Sequence, residues 1–253
     1  MGRAKEIIVK VIPAKIAIPF VREHHYSGKV ANNSAIHFGC FLDDKLHGAI
    51  SFGGSIDKRK VLPLVQPSKW NEMLELNRMA FDSFLPKNSE SRCIAIAIRL
   101  IQKNAPHIKW ILSFADGTQS GDGAIYRASG FYLAGIKKNK TILLYEGRVV
   151  ADKTFNNSNY IKAGFSAGKA KKGGAVPLPG FQFRYIYLID KSCKITVPIL
   201  PFSKIEEMGA GMYRGKKISR ADGLNKSRSA TSVEMAVTPT SALQFTENSP
   251  THA

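Results

Sequence analysis

Asp116 ends the apolar run Lys109-Trp110-Ile111-Leu112-Ser113-Phe114-Ala115 and is followed by Gly117-Thr118-Gln119-Ser120-Gly121. That run suits a buried central strand. Open α/β sheets place ligands beyond the carboxyl ends of such strands. A carboxylate there can serve as a general base or a metal ligand, or it can simply cap the loop before the next helix. Far upstream, His25 and Tyr26 stand together in Glu23-His24-His25-Tyr26-Ser27-Gly28. Imidazole, phenolate and carboxylate suit iron, so His25, Tyr26 and Asp116 form a candidate metal set. The competing reading makes both aromatic residues structural or solvent-facing. Asn88-Ser89-Glu90-Ser91-Arg92 has the composition of a helix start. Free N–H groups at a helix start bind anions, and Ser91 and Arg92 add donors; the alternative is a helix cap and nothing more. Arg78, in Leu76-Asn77-Arg78-Met79, can hold a phosphate bidentately or make a surface ion pair.

These residues need elements to carry them. Residues 5–12 are β-branched and predict a strand; residues 14–26 predict a helix leading into His25-Tyr26. His37–Leu42 and His47–Phe52 predict a hairpin turning at Asp43-Asp44-Lys45. Residues 70–81 alternate in part and predict a strand. A helix then starts at Asn88 or Ser89 and presents Ile94, Ala97, Ile98 and Ile101 on one face. Gly121–Ser129 predicts a short helix closed by Gly130. Phe131–Ile136 and Thr141–Tyr145 predict a second hairpin around Lys137-Lys138-Asn139-Lys140. Residues 160–180, rich in Gly, Ala and Lys, predict a flexible basic arm. Phe183–Asp190 returns as a strand, and the Ser-, Thr- and Lys-rich residues after about 215 predict a disordered tail. The element order is that of a mixed α/β sheet. The expected organisation is a core over 1–150, a basic extension over 151–215 with a strand packed on that core, and a tail over 216–253.

The net charge is +18, and residues 137–228 carry 19 lysines and arginines against six acids. This concentration points to a polyanionic partner, with Lys169, Lys171, Lys172, Arg184, Lys216 and Lys217 as candidate contacts. Charge alone leaves RNA, DNA and acidic membranes open. No run of about 18 apolar residues exists to span a membrane. Lys10, Pro13 and Lys15 interrupt the apolar N-terminal stretch, which excludes a signal peptide. Cys40, Cys93 and Cys193 have no CxxC spacing, as expected of buried thiols in a reducing cytoplasm.

Tyr126-Arg127-Ala128-Ser129-Gly130-Phe131 resembles the Tyr-x-x-x-Gly-Phe pattern of the GNAT acetyltransferase superfamily. The plain alternative is a tyrosine packed on the core. More specifically, His25-Tyr26-Ser27-Gly28, Leu74–Phe81, Asn88–Arg92, Ser113–Gln119, Gly121-Asp122-Gly123 and Ile125–Phe131 together resemble the Mom DNA-modification family of Mu-like phages. The resemblance runs over residues 24–136 and extends through Val197–Phe202 and Met208–Arg214. It implies a GNAT-like α/β fold: a mixed, mostly antiparallel central sheet flanked by helices. It implies addition of a carbamoylmethyl-type (methylcarbamoyl) group to adenine N6 in phage DNA, which protects that DNA from host restriction endonucleases. Asp116 and Tyr126 become the catalytic candidates, with Tyr126 protonating a leaving thiolate. Arg78 and Ser91, with Arg92 beside them, become cofactor-binding candidates for an acyl-CoA-type donor. Iron at His25, Tyr26 and Asp116 is implied, as are double-stranded DNA as partner, a flipped or unpaired adenine, and action in the host bacterial cytoplasm. The sequence departs from GNAT enzymes where their glycine-rich coenzyme A loop would stand: Pro86, Ser89 and Ser91 are there instead. Two other readings are an N-acyltransferase acting on a small amine or protein, and a non-enzymatic basic nucleic-acid-binding protein.

Overall fold

A computed structural model describes residues 3–156, 162, 164, 166–213, 216 and 217. In chain order the strands are β1 (Ile8–Val11), β2 (Ser34–Leu42), β3 (Lys45–Gly53), β4 (Val65–Gln66), β5 (Met73–Phe81), β6 (Trp110–Asp116) and β7 (Tyr132–Lys138). They continue with β8 (Ile142–Tyr145), β9 (Arg148–Ala151), β10 (Val176–Pro177), β11 (Phe181–Leu188), β12 (Lys194–Ile195), β13 (Met212–Tyr213) and β14 (Lys216–Lys217). Four helices matter to the site or lead to it: α1 (Ala14–His24), α2 (Lys58–Val61), α3 (Ser89–Asn104) and α4 (Ala124–Ala128).

The main sheet has seven strands in the order β1-β2-β3-β5-β6-β11-β7. Every pair in it is antiparallel except β5–β6, which is parallel. A parallel pair needs a crossover, and α3 lies in that connection. The expected mixed, mostly antiparallel sheet flanked by helices is what the structure shows. The β2–β3 hairpin forms as expected: Asp43 and Asp44 both take positive φ, 51° and 58°, the backbone that matches the twist of paired strands.

Strand alternation assigns one face to each helix. On β3, Ile50 and Phe52 belong to the large core with the α3 residues Cys93, Ile94, Ala97, Ile98 and Ile101. Ala49 points the other way and packs with Ala80 against Val21 of α1. Small residues at 49 and 80 leave room for α1 to lie close on the sheet. The predicted apolar face of α3 is therefore the buried one.

Three expectations about the chain after residue 130 are corrected. First, β7 and β8 do not pair as a hairpin. β7 runs beside β11, whereas β8 lies between β9 and β10 in a separate small sheet. Asn139 is the reason: its Nδ2 donates to the carbonyls of Ile142 and Leu178, both at 2.8 Å, and its Oδ1 accepts from Thr141 N and Ile142 N. Four bonds from one buried side chain turn the backbone out of the main sheet. Second, the strand expected to pack on the core from an extension is β11, and it runs inside the core sheet between β6 and β7. Third, the basic arm is not all loop. Residues Ala167–Lys172 form a short helix whose Ser166 hydroxyl accepts from Lys169 N at 3.2 Å. Its Ala170 is buried with Leu143, Phe155 and Ala175. The expected tail beyond residue 217, together with Phe165 and Arg214, lies outside the described residues.

Candidate active site

β5 and β6 pair only from Met73↔Trp110 to Leu76↔Ser113. Beyond those positions each strand stays bound to its outer neighbour: Arg78 to Ser51 of β3, and Phe114 and Asp116 to Arg184 and Gln182 of β11. The two middle strands therefore splay apart at their carboxyl ends. Two cavities of about 550 and 590 Å³ open at this gap, and Tyr26, Asn77, Arg78, Phe114 and Asp116 line both. These volumes fall in the range of ligand sites, roughly 300–1,000 Å³.

Asp116 stands at the end of β6 with its carboxylate fixed from four directions. Oδ1 accepts from Thr118 N at 2.9 Å, Thr118 Oγ1 at 2.6 Å and Gln182 Nε2 at 2.8 Å. Oδ2 accepts from Gln119 Nε2 at 3.1 Å. The two readings of Asp116 thus coexist: it organises its loop and it faces the cavity. Gly117 permits the tight passage, since a Cβ there would lie 2.7 Å from the Phe181 carbonyl oxygen.

Tyr126 sits on α4, buried and lining the first cavity. Its ring lies 5.4 Å from Phe131 and 5.3 Å from Tyr185. Ser113 hydrogen-bonds its hydroxyl, but burial dominates and pushes the pKa up. The phenol accordingly keeps its proton, as a donor must. An ion pair from Arg127 to Asp122 at 3.0 Å holds the start of α4, and Tyr185 donates its hydroxyl proton to the Asp122 carbonyl. Gly130 follows at φ 81°, the left-handed position expected after a helix end.

His25 and Tyr26 follow the last turn of α1, with ring centroids 4.2 Å apart. Burial, and then the positive charge of Arg78, push the His25 pKa down to about 4, against an opposing pull from Asp116. Its Nδ1 lies 2.8 Å from Ser27 Oγ. Tyr26 is half exposed, yet desolvation on its covered side, and then the Asp116 charge, raise the phenol. The three candidate metal residues thus share one cavity. Among the described residues no group of three His, Cys, Asp or Glu side chains is placed to hold a metal ion. A metal here would use Tyr26 as its third ligand.

Arg78 is not free for a phosphate on every side. Its Nε donates to the Lys29 carbonyl at 2.9 Å and its Nη1 to the Asn77 carbonyl at 2.5 Å, which ties the loop after His25 to β5. Ser91 and Arg92 do not reach either cavity. Ser91 Oγ donates to the Asn88 carbonyl at 3.2 Å and Arg92 Nη2 to the Lys5 carbonyl at 3.2 Å. From the first turn of α3 it is Glu90 that lines the first cavity.

The candidate polyanion contacts divide. Lys169, Lys171, Lys172, Lys216 and Lys217 are exposed. β13, the partner of Lys216 and Lys217, is fastened to the loop before α4 by Asp122 N donating to the Met212 carbonyl at 3.1 Å, and its Tyr213 lines the first cavity. Arg184 is half-buried instead. Its Nη2 donates to the Ala134 carbonyl at 2.7 Å, and burial lowers its pKa.

Two residues in the gap carry chemistry that the motifs did not single out. Glu75 lines the second cavity and its carboxyl is raised, first by burial, against a hydrogen bond from Ser55 and the charges of Lys153 and Arg78. Asn77 is buried, with Ser34 Oγ donating to its Oδ1 at 2.8 Å. An acid and an amide interrupting the apolar alternation Leu74-Glu75-Leu76-Asn77 were the available signal.

A family model described as the Mom protein family matches residues 6–204. The methylcarbamoylase Mom of Escherichia phage Mu is 31% identical over 194 residues, covering 76% of this chain and 79% of that protein. Among solved structures, a Bacillus subtilis acetyltransferase in complex with CoA aligns at TM-score 0.42 and 9% identity, over 72% of this chain and 99% of that one. A GNAT-family acetyltransferase from Streptococcus pneumoniae aligns at TM-score 0.42 and 12% identity, over 72% and 99%.

Proposed function

Because this chain belongs to the Mom protein family, we propose that it is a DNA-modifying transferase that attaches a methylcarbamoyl group to the 6-amino group of adenine in phage DNA. The modified DNA escapes host restriction endonucleases, and the enzyme acts in the host bacterial cytoplasm. The observation that carries the reading is the splayed β5–β6 gap. It brings Arg78, Asp116 and Tyr126 to one cavity in a chain whose relative is named a methylcarbamoylase.

The adenine amine is a poor nucleophile because its lone pair is delocalised into the ring. It must lose a proton as the new N6–carbon bond forms. Asp116, immobilised by its four hydrogen bonds, is the carboxylate that orients the amine and accepts that proton. Glu75, with its raised carboxyl, is a second acceptor, on β5 across the gap from Asp116 and lining the second cavity with it. As the bond between the transferred carbon and the leaving atom of the acyl donor breaks, Tyr126 delivers its proton to that leaving atom. Arg78 places a positive charge beside the charge that develops on the transferred carbonyl.

Iron fits the donor set of His25, Tyr26 and Asp116 by chemistry and by their common cavity. His25 Nε2, the Tyr26 hydroxyl and Asp116 Oδ2 are the atoms that would hold it, and with Asp116 so engaged the Glu75 carboxylate would be the remaining proton acceptor. Bound there, it would polarise the transferred group as a Lewis acid. A coenzyme A pyrophosphate fits less well. Ser91 and Arg92 are committed to the Asn88 and Lys5 carbonyls, and the Glu90 carboxylate faces the cavity, so no step is assigned to coenzyme A.

The partner in this reading is double-stranded DNA, with the target adenine flipped or locally unpaired because the stacked amine is out of reach. The exposed lysines grip the backbone. The test is direct: express the chain in a bacterium, digest total DNA to nucleosides and look by mass spectrometry for a heavier adenosine. Unmodified DNA from cells holding folded protein would sink the reading.

A further inference from the structure

Asn77 presents a buried donor with no partner. The residue is 8% exposed, and its Nδ2 is buried without a hydrogen bond. Such a group costs stability unless something pairs with it, and native structures rarely leave one idle. Ser34 fixes which way the amide faces by donating to Oδ1 at 2.8 Å. Asn77 is also the first β5 residue beyond the last β5–β6 pair, Leu76↔Ser113, and it lines both cavities of the gap. Phe114 is the corresponding first residue on β6. It lines both cavities too and is 47% exposed, although β6 is an interior strand of a seven-stranded sheet. Asn77 and Phe114 therefore stand at the start of the same gap, one on each strand.

We propose that this pair reads the target base: Asn77 Nδ2 donates to N1, the ring nitrogen beside the 6-amino group of adenine, and the Phe114 ring stacks on the base. The inference rests on the DNA-modifying reading above and adds its base specificity. Adenine flanks its amine with two acceptors, N1 and N7, but N7 is an acceptor in guanine as well, so only N1 discriminates. In guanine N1 carries hydrogen, so a donor placed there meets a donor. Stacking alone tolerates every base, which leaves the discrimination to Asn77.

The test uses the full chain and short duplexes with one adenine opposite an abasic site, which lowers the cost of flipping. Companion duplexes carry 1-deazaadenine or 7-deazaadenine at that position. Binding is followed by fluorescence anisotropy at fixed salt. The wild-type protein is expected to bind adenine about 10-fold more tightly than 1-deazaadenine and about as tightly as 7-deazaadenine. Asn77→Ala is expected to erase that preference, and Phe114→Ala to weaken binding to all three duplexes alike. Equal wild-type affinity for the three duplexes would overturn the proposal without any variant having to fold. An Asn77→Ala protein that keeps the preference would overturn it as well. Failure to bind any duplex would remove the DNA-modifying reading, and this inference with it; modified adenosine in cells despite equal duplex affinities would remove the inference alone.

Discussion

Gln182 Nε2 donates to Asp116 Oδ1 at 2.8 Å across the β6–β11 pair. The bond spans 66 positions of sequence and makes the late strand β11 part of the support for the candidate base. Gln182→Ala removes one of the three bonds to that oxygen. A hydrogen bond to a charged group contributes about 1.5–3 kcal/mol to stability, so the melting temperature is expected to fall by several degrees, and the loosened carboxylate to slow modification about 10-fold. Gln182→Glu sets a second carboxylate against Asp116 and should fall further. Rates equal to wild type in both variants would detach Gln182 from the site.

Tyr126→Phe keeps the ring between Phe131 and Tyr185 and removes only the hydroxyl bonded to Ser113. Stability should drop by about 1 kcal/mol, whereas transfer should be abolished. Thermal melting and nucleoside analysis of the same preparation separate the two effects. A fully active, fully folded phenylalanine variant would exclude Tyr126 as proton donor.

Neutralising Lys169, Lys171 and Lys172 together should flatten the salt dependence of DNA binding, by up to about 0.9 in log–log slope for each phosphate no longer neutralised. Arg184→Ala should behave oppositely. Its guanidinium is spent on the Ala134 carbonyl, so stability should suffer and the salt slope should stay. A slope change with Arg184→Ala and none with the lysines would reverse this assignment.

Glu75 gives a pH signature. Its folded pKa lies above the unfolded value because burial disfavours the charge. Folding therefore favours the protonated form, and Glu75 costs stability once pH exceeds its folded pKa. Glu75→Gln should melt at a higher temperature than wild type at neutral pH. The advantage should shrink as pH falls through that pKa and vanish below the unfolded value. A melting difference independent of pH would mean that ionisation is not the cause. In the same variant, transfer should slow if Glu75 takes the amine proton.

Iron makes a prediction that does not depend on turnover. Elemental analysis of protein purified in the presence of iron should find less metal in His25→Ala and Asp116→Ala than in wild type. Equal metal content would remove these residues as ligands.

Much of this molecule is legible in short stretches of its chain. The buried face of α3 follows from the spacing of Ile94, Ala97, Ile98 and Ile101, the β2–β3 turn from Asp43-Asp44, and the end of α4 from Gly130. Each rests on interactions within a few residues, where periodicity and turn chemistry act. Asp116 stands out as a candidate by its place at the end of an apolar run, Arg78 and Tyr126 by the motifs Leu76-Asn77-Arg78-Met79 and Tyr-x-x-x-Gly-Phe.

The tertiary structure decided what depends on distant partners. Hydrophobic alternation makes β7, β8 and β11 strands without saying which edges they join. Four hydrogen bonds to Asn139 send β8 away, and the edge of β7 is taken by β11. The first turn of α3 likewise predicts an anion site, but only packing shows that Ser91 and Arg92 turn to the Asn88 and Lys5 carbonyls. Burial is collective in the same way. The cavities lined by Asn77, Arg78, Phe114 and Asp116 exist only because β5 and β6 part after Leu76 and Ser113, a divergence fixed by the outer strands that hold each of them.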